Sequence, residues 1–316
     1  MHRRFAAAIG ALLSSACSAA RPLTLAHDGV EREYLLHVPA SPSAHPPLII
    51  ALHGGGGTAK TLDHFTNKGL TREAAARGWV LAIPQGVEKG WNDGRAPVTE
   101  KDRRRSTVDD VGFLTRLIAT LEETHDIDPN RVMMVGVSNG GHMAYRLGIE
   151  AADHFTAIAP VIAGHPAIWT TGQPGLWTEA GPARPVSVLV MNGTKDPLIP
   201  YKGGQVTVFD QERGEVLSAA DTIAWWSARD RCPSPPSTRT LPDRDPEDGT
   251  RVTVKRRDGC ADGTEVTLVR VDGGGHTWPG GNQYLPESLV GTVSHDVDGS
   301  KILFRFFDRH VDDRAR

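Results

Sequence analysis

RVMMVGVSNGGHMAYRLG, residues 131–148, decides how the whole chain is read. Gly136, Ser138 and Gly140 stand in the arrangement G-x-S-x-G, a short pattern that a chain with 34 glycines meets easily by chance, so the flanks must carry the assignment. VMMVGV before the serine is an apolar, partly β-branched run of strand length, and NGGHMAYRLGIEA after it is rich in helix formers. Ser138 therefore falls at a strand-to-helix junction, the sharp turn that exposes a nucleophilic hydroxyl. Small residues two places either side suit that turn, because a side chain at Gly136 or Gly140 would strike the neighbouring strand or helix. The competing reading is a glycine-rich helix start in which Ser138 is only an N-cap.

Outward from this junction, strand and helix patterns alternate. REYLLHVP (32–39) alternates as an antiparallel edge strand does, whereas LIIALHG, WVLAIPQG, RVMMVGVS, FTAIAPVIA, PVSVLVMNG and TEVTLVRVDG are short apolar runs of the kind buried in parallel sheets. Helices are predicted over 61–77, 109–125 with Asp109 or Asp110 as cap, 139–150, 218–229 and 300–310. The fold class is α/β: a mostly parallel, doubly wound sheet with helices on both faces, whose ligand site lies beyond the carboxyl ends of the strands.

The 316 residues suit one large domain, and a formal charge of −3 gives no reason to propose nucleic acid or an anionic membrane as partner. Residues 1–20, with Arg3 and Arg4, the run FAAAIGALL and small residues up to Ala20, read as a secretory signal, leaving 21–316 as a single catalytic domain. Lipidation of Cys17 is the alternative to simple export. No other stretch has the roughly twenty apolar residues that span a bilayer. Export leaves Cys232 and Cys260, which an oxidising compartment would join, tying down the proline-rich, charged segment between them as a loop; two separate free thiols are the alternative.

A serine hydroxyl needs a general base, and the base an orienting acid. In this fold they follow in the order serine, acid, histidine. Asp196 in NGTKDPLIPY follows the run PVSVLVMNG, and His276 in VDGGGHTWPGG follows TEVTLVRV, so all three residues fall at strand ends in that order. Their rival roles are a turn aspartate and a loop histidine; no second ligand stands at metal spacing near His276, and no metal is expected. LIIALHGGGGT ends a strand in four unhindered glycines, whose amides can face an oxyanion together with the N–H of Asn139; Gly55 is the expected second donor. A phosphate cradle is the other use of such a loop, but the P-loop lysine and Ser/Thr are missing.

LHGGGG, PQGVEKGWNDGR, VDDVGF, GVSNGGHMAYRLG, FTAIAPVIAG, NGTKDPLIPY and GGGHTWPGG, seven blocks in order, together resemble the secreted esterases grouped as polyhydroxybutyrate depolymerase-like and feruloyl or acetylxylan esterase-like proteins. The resemblance implies an α/β-hydrolase with Ser138, Asp196 and His276 as its triad, working without a cofactor on a small or oligomeric ester, free or linked to polysaccharide. It leaves the acyl group open. Trp91 and Trp278 are the expected substrate-contacting rings near the pocket mouth, with Trp169, Trp177 and Tyr201 as further candidates. The arginines at 103–105 read as a solvated loop, and 168–185 as a candidate pocket wall. The rivals to ester hydrolysis are acyl transfer to an acceptor other than water and a non-catalytic binding protein on the same scaffold.

Overall fold

A computed structural model describes residues 22–95, 99–167, 181–233 and 235–311. Residues 1–20, expected to be a secretory signal, Trp169, Trp177 and most of 168–185 lie outside the described residues.

Ten strands form one sheet in the order β1-β2-β4-β3-β5-β6-β7-β12-β11-β10. They are β1 (Pro22–His27), β2 (Val30–His37), β3 (Leu48–Leu52), β4 (Val80–Pro84), β5 (Val132–Val137), β6 (Ala157–Val161), β7 (Ser187–Gly193), β10 (Ser237–Thr240), β11 (Arg251–Arg257) and β12 (Val266–Asp272); β8 (Gly204–Val208) and β9 (Gln211–Val216) form a separate hairpin. The six apolar runs became six neighbouring parallel strands, from β4 to β12. The helices are α1 (Ala59–Phe65), α2 (Gly69–Arg77), α3 (Glu100–Ser106), α4 (Asp110–His125), α5 (Asn139–Glu150), α6 (Ala219–Arg229), α7 (Glu287–Val290) and α8 (Gly299–Val311).

The period of two along a strand divides the apolar residues between two cores. Leu48, Ile50 and Leu52 of β3 join Phe113, Leu117 and Leu121 of α4, Met143 and Leu147 of α5 and Trp226 of α6 on one face. Ile49 and Ala51 join Leu62 of α1, Leu70 of α2 and Leu303, Phe304 and Phe307 of α8 on the other. Each fully buried leucine, isoleucine, methionine or phenylalanine among them contributes about 1.5–3 kcal/mol of transfer free energy, so both faces of the parallel strands are fixed by the same alternation.

Four local expectations are corrected. β2 is antiparallel as expected but is no edge strand, because β1 pairs with its residues 30–35. The helix over 61–77 is two helices, broken where Asn67 and Lys68 take φ of 51° and 55°. The arginines at 103–105 close α3, whose N-terminus Thr99 and Asp102 cap reciprocally. The segment between Cys232 and Cys260, which are joined by a disulfide, carries β10 and β11. Antiparallel pairing to β12 orders it, with Val252 buried against the second core while the neighbouring basic side chains stay at the surface.

Candidate active site

The carboxyl ends of the central strands deliver three side chains to one place. β5 ends at Val137, and Ser138 turns the chain into α5 with φ 53° and ψ −117°, a conformation that an L-residue holds only under constraint. The constraint is close packing. A Cβ on Gly136 would run into the Gly140 carbonyl, and one on Gly140 would lie 2.5 Å from the Leu52 carbonyl oxygen and 2.6 Å from that of His53. The Ser138 side chain caps no amide of α5, which removes the N-cap reading.

Asp196 lies just beyond β7 and His276 just beyond β12, the parallel neighbour of β7. The His276 Nδ1–H donates to Asp196 Oδ2 at 2.7 Å, and both side chains are buried. Asp196 Oδ1 accepts from the amides of Leu198 and Ile199 at 2.8 Å each, so the carboxylate is held on both oxygens. The His276 amide donates to the Val290 carbonyl at 2.6 Å, fixing the histidine from the backbone side. Ser138 and His276 line a common cavity of about 810 Å³.

The glycine loop is held by His53. Its Nδ1–H donates to the Gly54 carbonyl at 2.8 Å, while Nε2 accepts from the Gly86 amide at 3.0 Å and the Gln85 side-chain amide at 3.1 Å. Burial pushes the imidazole down to about 4, keeping it neutral. Gly56 and Gly57 donate their amides to Lys89 and Gly54, whereas the amides of Gly55 and Asn139 meet no acceptor among the described residues. Both line the cavity.

Trp91 also lines the cavity, but its ring is a brace. It is 2% exposed, its indole N–H donates to the His53 carbonyl at 2.9 Å, and its amide donates to Asn139 Oδ1 at 2.8 Å. Trp278 is corrected outright: it is fully buried in the core beneath α8 and is absent from the cavity lining. Tyr201 packs against the opposite core. The ring at the mouth is Tyr284, edge-on to Phe65 at 5.1 Å between centroids, with Phe209 of the β8–β9 turn also on the lining. Burial and the nearby Asp196 carboxylate raise the Tyr284 hydroxyl pKa, so the ring is a neutral phenol.

Sequence reading also missed the polar part of the lining. The Asn139 side-chain amide donates to Asp93 Oδ2 at 2.6 Å, and Asp93 takes Arg95 at 2.6 Å. Burial alone would raise the Asp93 carboxyl, but Arg95 holds it at about 2. His142, one turn into α5, donates Nδ1–H to the Ser138 carbonyl at 2.9 Å, and burial pushes it down to about 3. The signal for Asp93 and Arg95 was present in WNDGR, one of the seven blocks, but nothing in it said which side chains face the cavity.

The family model described as "Putative esterase" matches residues 29–229, from β2 to the end of α6, and so takes in the elbow, the glycine loop and Asp196. The chain belongs to the esterase family. Among curated proteins, this esterase is 31% identical to "Putative esterase NocK" of Nocardia uniformis subsp. tsuyamanensis, over 90% of this chain and 81% of that one. It is 26% identical to feruloyl esterase B of Piromyces equi, over 73% of its own length and only 39% of the relative's. Among solved structures, the acetyl xylan esterase from Aspergillus awamori superposes with a TM-score of 0.56 at 13% identity, covering 92% of the esterase and 99% of that chain; that likeness is one of fold. The esterase is thus an α/β-hydrolase-fold ester hydrolase by family, as the seven sequence blocks implied.

Proposed function

We propose that the chain is a secreted serine esterase of carboxylic esters, with Ser138 as nucleophile, His276 as general base and Asp196 as its orienting acid. The observation that carries this is the 2.7 Å bond to Asp196 from His276, which lines the same cavity as the strained, uncapped Ser138. His276 Nε2 takes the Ser138 proton as Oγ attacks the ester carbonyl; the imidazolium, stabilised by Asp196, then gives that proton to the leaving alkoxide. The uncommitted amides of Asn139 and Gly55 stabilise the tetrahedral oxyanion. Water repeats the sequence on the acyl-enzyme and frees the acid. Nothing in this cycle calls on a cofactor.

Export is supported by the basic, apolar N-terminal stretch and by the Cys232–Cys260 bridge. No helix among the described residues is long and apolar enough to cross a membrane. The candidate substrate classes are feruloyl, acetyl and hydroxyalkanoate esters, and the names of sequence relatives, feruloyl esterases and an acetylxylan esterase, favour the first two. The test is hydrolysis of short p-nitrophenyl esters, methyl ferulate, acetylated xylan and hydroxybutyrate oligomers by the purified protein and by Ser138→Ala. Turnover is expected to fall on the order of 10⁶-fold in the variant with the fold retained. Substantial residual turnover removes the serine from the mechanism.

A further inference from the structure

The cavity lining divides into two kinds of surface. Leu62, Phe65, Ile162, Leu198, Val208 and Leu285 supply an apolar part. The polar part runs in hydrogen-bonded sequence away from the elbow. Asn139 donates to Asp93, Asp93 accepts from Arg95, Arg95 donates to the Arg213 carbonyl of β9 at 3.3 Å, and Arg213 donates to Asp102 of α3, which also takes Arg105. This wall therefore begins at the residue after Ser138.

Charge along that wall is unbalanced. Arg95, Lys101, Arg105 and Arg213 line the cavity, against the carboxylates of Asp93 and Asp102. Both acids are ionised: burial would raise them, but Arg95 overrides it at Asp93, and hydrogen bonds from Thr99 with the charges of Arg213 and Arg105 lower Asp102. Two positive charges are left in excess. Lys101 forms no salt bridge among the described residues, and the buried Nε–H of Arg105 meets no acceptor among them. A buried donor on a cation is costly to leave unmet, and a concave, low-dielectric wall concentrates its field on what enters.

Resting on the esterase reading, we propose that this wall is a specificity subsite for a carboxylate, so that the preferred substrate is an ester with an apolar body and a second, free carboxylate group. Arg105 and Lys101 take the carboxylate while the apolar lining takes the carbon chain. Of the three candidate substrate classes, the free hydroxyalkanoate oligomer is the one that carries such a group.

Two matched pairs test the inference and distinguish the side on which the charge is carried. p-Nitrophenyl hemiglutarate against p-nitrophenyl valerate places the carboxylate on the acyl group, and 4-acetoxybenzoate against 4-acetoxybenzamide places it on the leaving group. In one pair the anionic member is expected to have about tenfold higher kcat/KM, expressed mainly in KM. The preference shrinks as salt rises from about 0.02 M to about 0.5 M. Lys101 is exposed, so Lys101→Gln and Lys101→Glu keep the fold, and the anionic-to-neutral ratio is expected to fall in two steps that follow the charge. If the neutral member is cleaved as well as the anionic one in both pairs, the carboxylate subsite is overturned and the esterase reading stands. If none of the four esters is cleaved, both are overturned.

Discussion

Two regions meet at this cavity and differ in how they are built. The strand-end region, comprising Ser138, Asp196, His276 and the His53–Gly57 loop, is fixed by backbone: carbonyls 2.5–2.6 Å from where a Gly140 Cβ would sit, and amides holding Asp196. The wall from Asp93 to α3 and β9 is fixed by side-chain charge pairs, with the arginine and aspartate side chains between 7% and 24% exposed. Backbone packing at Gly136 and Gly140 tolerates almost no substitution, whereas a wall of ion pairs can change its charge without moving a strand. The first region is suited to invariant chemistry and the second to choice of substrate.

The largest expected effect breaks the strand-end region through its chemistry alone. Asp196→Asn keeps the size of the side chain and replaces the acceptor for His276 with an amide that can turn its NH₂ to the ring. Turnover on any accepted ester is expected to fall about 10⁴-fold, with the thermal midpoint close to that of the parent. A fall of less than about tenfold would show that His276 does not depend on the carboxylate. The Lys101 variants, by contrast, are expected to alter which ester is preferred.

A smaller effect, on stability, separates the two kinds of glycine in the strand-end region. Gly140→Ala forces a methyl group against the Leu52 and His53 carbonyl oxygens and is expected to cost about 3 kcal/mol, measured by urea unfolding. Gly55→Ala places its methyl 3.5 Å from the Asn139 Cβ, an ordinary contact, and is expected to cost less than about 1 kcal/mol. Equal costs would mean that the elbow is not held by packing.

The contrast also explains what could be read from sequence. Strands β3 to β7 and β12 are buried on both faces, so burial wrote continuous apolar runs, and the candidate residues Ser138, Asp196 and His276 lie just past three of them, where a motif and a residue order could point to them. α3, β8 and β9 are polar and partly exposed, and their order comes from ion pairs between distant residues such as Arg213 and Asp102, which no local pattern records. The break at Asn67–Lys68 falls directly before Gly69, a single glycine in a run whose other residues suit one continuous helix. Trp278 was assigned to the mouth because it neighbours His276 in sequence, yet two residues beyond the histidine the chain has already turned into the core, and Tyr284 supplies the exposed ring instead.

Acid should separate the two regions with the smallest effect. His53, His142 and His165, all just beyond the carboxyl ends of parallel strands, are pushed by burial down to about 4, 3 and 4. As pH falls through about 6.5 the unfolded chain protonates these three imidazoles while the folded chain does not. The unfolded state then binds more protons, and stability falls by about 1.4 kcal/mol per pH unit for each histidine between about pH 6.5 and 4. Asp230, raised by burial to about 7, acts in the opposite sense, because the folded state keeps a proton that the unfolded chain loses above about 4. Together these four groups contribute a slope of two protons across this window. Asp93 of the wall, held at about 2, stays charged throughout it. Urea unfolding at a series of pH values measures the slope, and His142→Gln is expected to reduce it by one proton. An unchanged slope in that variant would mean that His142 takes up its proton in the folded protein, and the account of a strand-end region kept neutral by burial would fail at the residue nearest the nucleophile.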